Sequence, residues 1–307
     1  MSVLVFGSIN ADFIVGVDRL PGPGETVVAP TYRFLPGGKG ANQAVAAARA
    51  GAKTAFIGRI GEDAFGQALK DSLAAEGVDV SGLGTSREPT GAAFIAIDRE
   101  GENQILGALG ANYAVCAADV PDAALGPKTT LVLEMEVPPA ENALLAARAR
   151  RAGCRVLFNF APAMPAPASL FADVGILAVN EHEAEALAKQ LAMTERDPEP
   201  AAWALSRRFG NTVIVTLGAD GAIAISPDAS WRIGALGVDV VDTVGAGDAF
   251  LGVLAASLDE GRDLPSSLRR ASVAGSIACT KPGARAGMPT RAMIDAREAE
   301  LTPARPL

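Results

Sequence analysis

The sequence predicts an α/β fold, a mostly parallel central sheet flanked by helices, with a small β-sheet lid. Three observations carry that expectation. Short β-branched runs alternate with alanine-rich helical stretches along most of the chain. Several of those runs are solidly apolar, as strands covered on both faces must be. Two regions, about residues 11–35 and 88–110, break the alternation and read as strand, turn, strand.

Taken in order, "VLVFGSI" begins the sheet almost at once, and "GANQAVAAARAGA" supplies the first helix. Between them, "FIVGV" is set against "ETVVAPTYRF". "TAFIG" and the helical "DAFGQALKDSLAAEG" come next, and then "GAAFIAID" is joined through "REGE" to "NQILGAL". Tight turns join antiparallel neighbours, so neither hairpin fits a parallel sheet. The two segments therefore predict a separate small sheet with an apolar, poorly covered face. It should close on a ligand, meet a second copy of itself, or both. Beyond it, "TLVLEM", the helix "PAENALLAARARRAG", "RVLFNF", "VGILAVN", the helix "EHEAEALAKQL" and "NTVIVTLG" restore the alternation. "PEPAAW" reads as a loop entering a helix, and the tail "TPARPL" is expected to fray.

The 307 residues, 49% of them hydrophobic, suffice for one large domain over 1–307 that carries the lid. A formal net charge of -8 and the lack of a basic stripe exclude a nucleic-acid partner. Cys116, Cys154 and Cys279 are widely spaced and suit neither zinc nor a disulfide framework. Met1 leads straight into an apolar strand without a charged leader, and no run approaches the roughly 20 apolar residues of a membrane span. A cytoplasmic protein is expected. His182 is the only histidine, which disfavours histidine-dependent hydrolysis.

Ligands of such sheets sit beyond the carboxyl ends of the strands. Asn10, Asp12, Glu136, Asn159, Asn180, Thr216 and Gly218 all follow strand-like runs. In "DTVGAGDAF", Phe250, Val253, Leu254 and Leu258 form a helical stripe behind Gly245-Ala246-Gly247. Unpaired N–H groups at such a helix start make an anion site, and glycine lets the backbone approach a phosphate. Asp248, in the first turn, is either a base beside that anion or an acid that offsets the helix dipole. The spacing rejects a dinucleotide fingerprint, because Phe250 replaces the third glycine. It also rejects a P-loop, because Gly40 follows Lys39 where Ser or Thr is needed. In "LPGGKGANQA", Gly37, Gly38 and Gly40 surround Lys39 immediately before a helix, which reads as close approach to a ligand or as a flexible join to the lid.

"GSINAD", "PGET", "GGKGANQAVAAARAGA", "GENQI", "NEHEAE", "VTLGADGA" and "DTVGAGDAF" follow one another over nearly the whole chain. In this order they resemble the ribokinase/PfkB family of sugar and nucleoside kinases. "DTVGAGD" together with "GGKGAN" is the specific part of the pattern, and "NAD" with "GEN" is most similar to its ribose-phosphorylating members. The resemblance implies ATP-dependent phosphorylation of D-ribose to D-ribose 5-phosphate. Asp248 would be the general base, and Gly245, Ala246 and Gly247 the anion hole. Asn10, Asp12, Gly38, Lys39, Gly40, Asn42 and Glu136 would bind the sugar, although Glu134 lies on the same side of the strand as Glu136.

The family's NxxE motif falls on Asn180 and Glu183 and would help hold Mg2+ and phosphate, while His182 between them would lie at the surface. Thr216, Gly218, Gly221 and Gly247 would meet the nucleotide. Ser272 stands where relatives place a longer polar side chain near adenine. A K+ ion would take the Asp242 carboxylate and the carbonyls of Val244, Ala278, Lys281 and Gly283, with Gly287 where relatives often carry serine. A homodimer through the lid is expected. Rival readings keep the chemistry with a fructose-type, 2-keto-3-deoxygluconate or adenosine acceptor, or keep only the fold as a sugar sensor.

Overall fold

The computed structural model describes residues 2–307. The chain starts in β1 (Ser2–Phe6), crosses to β2 (Asn10–Gly16) and returns through β3 (Arg33–Gly37) into α1 (Lys39–Arg49). After β4 (Thr54–Gly61), α2 (Ala64–Ala75) and β5 (Asp79–Ser86) come β6 (Gly91–Ile97) and β7 (Asn103–Ala108). The alternation resumes with β8 (Thr129–Leu133), α3 (Pro139–Arg151), β9 (Arg155–Asn159), α4 (Ala168–Ala172), β10 (Ile176–Asn180), α5 (Glu181–Gln190), α6 (Pro198–Phe209) and β11 (Thr212–Thr216). A meander of β12 (Ala222–Ile225) and β13 (Ser230–Ile233) precedes α7 (Ala246–Asp259), α8 (Leu264–Ala278), α9 (Arg291–Arg297) and β14 (Arg305–Pro306).

Ten strands form the main sheet in the order β14-β13-β12-β11-β10-β9-β8-β1-β4-β5. The pairs from β5 to β11 are parallel, and β12, β13 and β14 extend that edge antiparallel. Successive side chains of a strand point to opposite faces, which explains the solidly apolar runs. Val3, Val5, Val132, Leu157 and Ile214 pack with α1, α7 and α8. Leu4, Phe6, Leu131, Phe158, Leu177 and Val213 pack with α3, α5 and α6 on the other face.

The small sheet has the order β3-β2-β6-β7. The "GAAFIAID" and "NQILGAL" hairpin forms as expected, in antiparallel register from Ala92 opposite Ala108 to Ile97 opposite Asn103. The first unit differs. Only Arg33–Gly37 pairs with β2, and residues 17–32 are a long connection rather than a tight turn. Pro30 lacks the N–H that a ladder needs, and Thr26 to Pro30 stays out of the sheet with Val28 exposed. The two units join through a parallel β2–β6 pair. The last residues also differ from expectation, because Arg305 and Pro306 pair with β13 and do not simply fray. "PEP" is the first turn of α6 rather than a loop before it, since proline suits a first helical turn.

Candidate active site

The carboxyl ends of β1, β8, β9, β10 and β11 and the N-termini of α1 and α7 converge on one cavity of about 440 Å3. Asn10, Asp12, Gly38, Lys39, Asn42, Glu136, Asn180, Glu183, Thr216, Gly245, Gly247 and Asp248 all line it, so most of the residues chosen from sequence come together. Ala93, Ile95 and Ile105 of the small sheet form its roof. A second cavity of about 440 Å3 adjoins it between that sheet and the 282–286 segment, with Asp12, Ile95, Ile105, Val244 and Ala284 common to both.

Asp248 lies in the first turn of α7, 7% exposed, and each of its carboxylate oxygens is held by an amide. Asn42 donates from Nδ2 to Oδ2 at 3.1 Å, and Gln43 from Nε2 to Oδ1 at 3.0 Å. Both donors sit on α1, which packs closely against α7. A Cβ at Gly252 would lie 2.5 Å from the Gln43 carbonyl oxygen, so only glycine permits that approach. Burial raises the Asp248 pKa, opposed by the Lys39 charge and the two amide donors. Gly245 is the N-cap of α7 at φ 80, and a Cβ on it would meet Ala284 Cα at 2.7 Å. Gly247 and Asp248 of that helix start border the cavity, while the Ala246 N–H donates to the Thr243 carbonyl at 3.2 Å.

Glu136 lies past the end of β8, not on it, and organises the opposite wall. Its Oε2 accepts from Ser8 Oγ at 2.6 Å, Asn10 Nδ2 at 3.2 Å and the Lys39 N–H at 3.1 Å. The strand geometry expected for Glu134 and Glu136 therefore fails, and their surroundings separate them instead. Glu134 is fully buried and accepts the N–H groups of Ser8 and Glu136, each at 2.6 Å, so it braces the wall and does not line the cavity. Burial, then the Glu136 charge, holds the Glu134 carboxyl above its ordinary range. Burial lowers the Lys39 pKa, but Asp248, Glu136, Glu183 and Glu134 together keep it above its ordinary value.

Asp12 is pushed up to about 7 by burial and next by the Glu136 charge, with Arg285 opposing. An unfolded chain ionises it at 3.8, so between that pH and about 7 the folded protein holds the extra proton. Stability must then fall as pH rises through this window, because the folded state binds more protons than the unfolded one. Asp12→Asn is expected to flatten that fall, by at most about 4 kcal/mol, in urea unfolding curves taken across the window. An unchanged pH slope in the variant would contradict the shift.

Asn180 and Glu183 form a reciprocal cap at the start of α5: the Glu183 N–H donates to Asn180 Oδ1 and the Asn180 N–H to Glu183 Oε2, both at 2.8 Å. His182 between them is exposed. Among the nucleotide candidates only Thr216, Asn180, Glu183 and Gly247 reach the cavity wall. Gly218 and Gly221 shape the turn after β11, at φ 54 and φ 85. Ser272 is turned away: it is 5% exposed and its hydroxyl donates to the Gly234 carbonyl at 2.5 Å. Gly40 packs against Ser8 behind the wall, and Ala246 is likewise off it. Asp242 accepts from the Val244 N–H at 2.9 Å and the Gly283 N–H at 2.7 Å, and all three border the second cavity. Ala278, Lys281 and Gly287 line neither cavity.

Four contributors escaped the sequence reading. Gln43 and Arg285 reach the Asp248 network, and Asn112 and Ser8 reach the Asn10–Glu136 wall, where Asn112 Nδ2 donates to Asn10 Oδ1 at 2.7 Å. Gln43 had a signal, a polar residue on the buried alanine face of a helix. Arg285, isolated in "GARAG", had none.

The chain matches the pfkB family carbohydrate kinase model over residues 1–291. It is 38% identical over 293 residues to a ribokinase of Haemophilus influenzae, covering 94% of this chain and 96% of that protein. Among solved structures it resembles a ribokinase from Thermotoga maritima, with 32% identity, a TM-score of 0.90, and 96% and 98% of the two chains covered. It also resembles an Arabidopsis thaliana ribokinase complexed with ribose and ATP, at 30% identity, a TM-score of 0.86, and 97% and 98% coverage.

Proposed function

Because the chain belongs to the pfkB family of carbohydrate kinases, we propose that it transfers the γ-phosphoryl group of ATP to the 5-hydroxyl of D-ribose, forming D-ribose 5-phosphate and ADP. The observation that carries this reading is the Asp248 carboxylate, buried in the cavity beside the Gly245 turn with both oxygens fixed by amides. Asp248 accepts the proton of the acceptor hydroxyl, and the freed oxygen attacks the γ-phosphorus as the bond to ADP breaks. The N–H groups opening α7 offset the charge that develops on the transferred phosphoryl group. Asn10, Asp12, Asn42, Glu136 and Lys39 supply the donors and acceptors that a polyol needs. The chain acts as one domain, with the small sheet as lid.

Two ions belong to this proposal. Glu183 uses only Oε2 in its cap, and among the described residues no cluster of three or more His, Cys, Asp or Glu could hold a metal. That donor set fits Mg2+ carried on the nucleotide phosphates and met by Glu183 and Asn180 through water. For K+, one carboxylate with backbone carbonyls is a suitable oxygen set, and a Cβ at position 287 would overlap the Ala278 carbonyl. Glycine at 287 therefore leaves that oxygen room, although it offers no hydroxyl. Asp242, Val244, Ala278, Lys281 and Gly283 would hold the ion and steady the anion-hole loop.

The test is a panel of D-ribose, fructose, 2-keto-3-deoxygluconate and adenosine, assayed for ADP release with Mg2+ in potassium and in sodium buffer. Ribose is expected to lead, with faster turnover in potassium. A higher rank for fructose or adenosine overturns the acceptor, and equal rates in the two buffers remove the K+ site.

The small sheet also points to a homodimer. Phe94 and Leu106 line neither cavity and are 50% and 74% exposed, and every residue of β7 is exposed. Light scattering is expected to give twice the 31.2 kDa chain mass. A monomer at assay concentration would remove the dimer. No helix of the described residues is long and apolar enough to cross a membrane, and we place the protein in the cytoplasm.

A further inference from the structure

We infer that Arg285 is a positioning residue for this reaction: its donor-only guanidinium sets which end of the Asn42 amide faces Asp248. The inference rests on Asp248 being the base of the proposed transfer. An asparagine amide offers a carbonyl at one end and an NH2 at the other, and its shape alone does not say which way it points. Arg285 Nε donates to Asn42 Oδ1 at 3.0 Å, and Nη2 donates to the Gly37 carbonyl at 3.1 Å. A guanidinium accepts nothing, so Asn42 must turn its oxygen to Arg285 and its NH2 to Asp248 Oδ2. The flipped amide would set a carbonyl oxygen against a buried carboxylate and an NH2 against a cation. Both contacts are repulsive where screening is weakest.

The second amide is fixed by the same logic from the other side. Asn159 Nδ2 donates at 3.2 Å to the Ala178 carbonyl, which can only accept. Asn159 Oδ1 is thereby turned to Gln43, whose NH2 serves it at 3.2 Å and Asp248 Oδ1 at 3.0 Å. Asp248 thus faces two amide donors whose directions are imposed from outside the pair. Of the two outer anchors, Arg285 is the charged one. It is 9% exposed, and its Nη1 has no partner among the described residues. It also stands on the segment that follows Ala284, whose Cα lies against Gly245, and its Gly37 contact ties in the end of β3. The groups that face it are Asp12, Glu76, Arg49 and Asp248, besides Asn42.

The experiment is a double-mutant cycle of Arg285→Met and Asn42→Ala, read as kcat, sugar KM and the pH dependence of kcat. Losing the Arg285–Asn42 bond frees the Asn42 amide to turn away from the charged base, which is expected to lower kcat about ten- to hundredfold in Arg285→Met. The acidic limb of the profile should move to higher pH, since the carboxylate has lost stabilisation of its ionised form. Arg285→Lys keeps a donor and should recover most of both. In the Asn42→Ala background, Arg285→Met should add little, because its route to Asp248 is gone. If Arg285→Met does not fold, Arg285→Gln completes the cycle, and the same coupling is expected at smaller size because a neutral amide imposes no polarity. Fully additive effects, an unmoved acidic limb, or a lysine variant as impaired as methionine would overturn the inference. Those outcomes leave Asp248 as the base, whereas an active Asp248→Asn enzyme removes the reading beneath it.

Discussion

Asp248→Asn is expected to lower kcat by about 10²–10⁴-fold, the usual worth of a general base, with ribose affinity changed only a few-fold. The amide matches the carboxylate in shape, and Asp248 is buried within α7 against α1, so the packing survives. What is lost is the ability to take a proton. The variant also brings an NH2 toward either Asn42 or Gln43, each of which already presents an NH2, so one of those contacts is sacrificed. That clash is the source of the small binding change. Steady-state ADP release gives kcat, and calorimetric titration with ribose gives affinity. Turnover near the parent rate would sink the assignment. A large loss of ribose affinity would instead make Asp248 mainly a binding residue.

Gly245→Ala should follow closely, with kcat about 10²–10³-fold lower and sugar KM nearly unchanged. At φ 80 the residue occupies the left-handed region, where a side chain is strained. The added Cβ would also lie 2.7 Å from both Cα and O of Ala284, which are backbone atoms and cannot swing aside. The turn must move, and with it the N–H groups that we propose face the transferring phosphoryl group. The wall around Glu136, Asn10 and Lys39, proposed to bind the sugar, lies on other elements and is untouched. Chemistry should therefore suffer more than sugar binding. Equal losses in kcat and in sugar affinity would mean that the turn supports the whole cavity instead of the anion.

Much of this molecule could be read from local patterns. The alternating runs foretold the central sheet, and their apolar character on both faces is what β1 and β8 to β11 display. "DTVGAGDAF" and "GGKGANQA" announced two glycine-led helix starts, and α1 and α7 begin there. The first hairpin departs from its local pattern because β propensity in "ETVVAPTYRF" does not express the β6 strand that takes the other edge of β2. Glu134 and Glu136 were indistinguishable in sequence. Both lie past the end of β8, and they separate only because the Ser8 backbone claims the first while the Ser8 hydroxyl, Asn10 and the Lys39 N–H meet the second. The family resemblance puts Ser272 near adenine, yet the nearby Gly234 carbonyl takes its hydroxyl.

Taken alone, the sequence determined the fold class, the two glycine turns and the identity of the acid behind the second. Each of those depends on residues adjacent in the chain, through periodicity or backbone freedom. Tertiary structure alone decided how that acid is held. Asn42 and Asp248 are 206 positions apart, and Arg285 and Asn42 are 243 apart. The direction of an amide depends on which donor or acceptor meets its far end, and in a buried site that partner arrives from wherever the fold brings it.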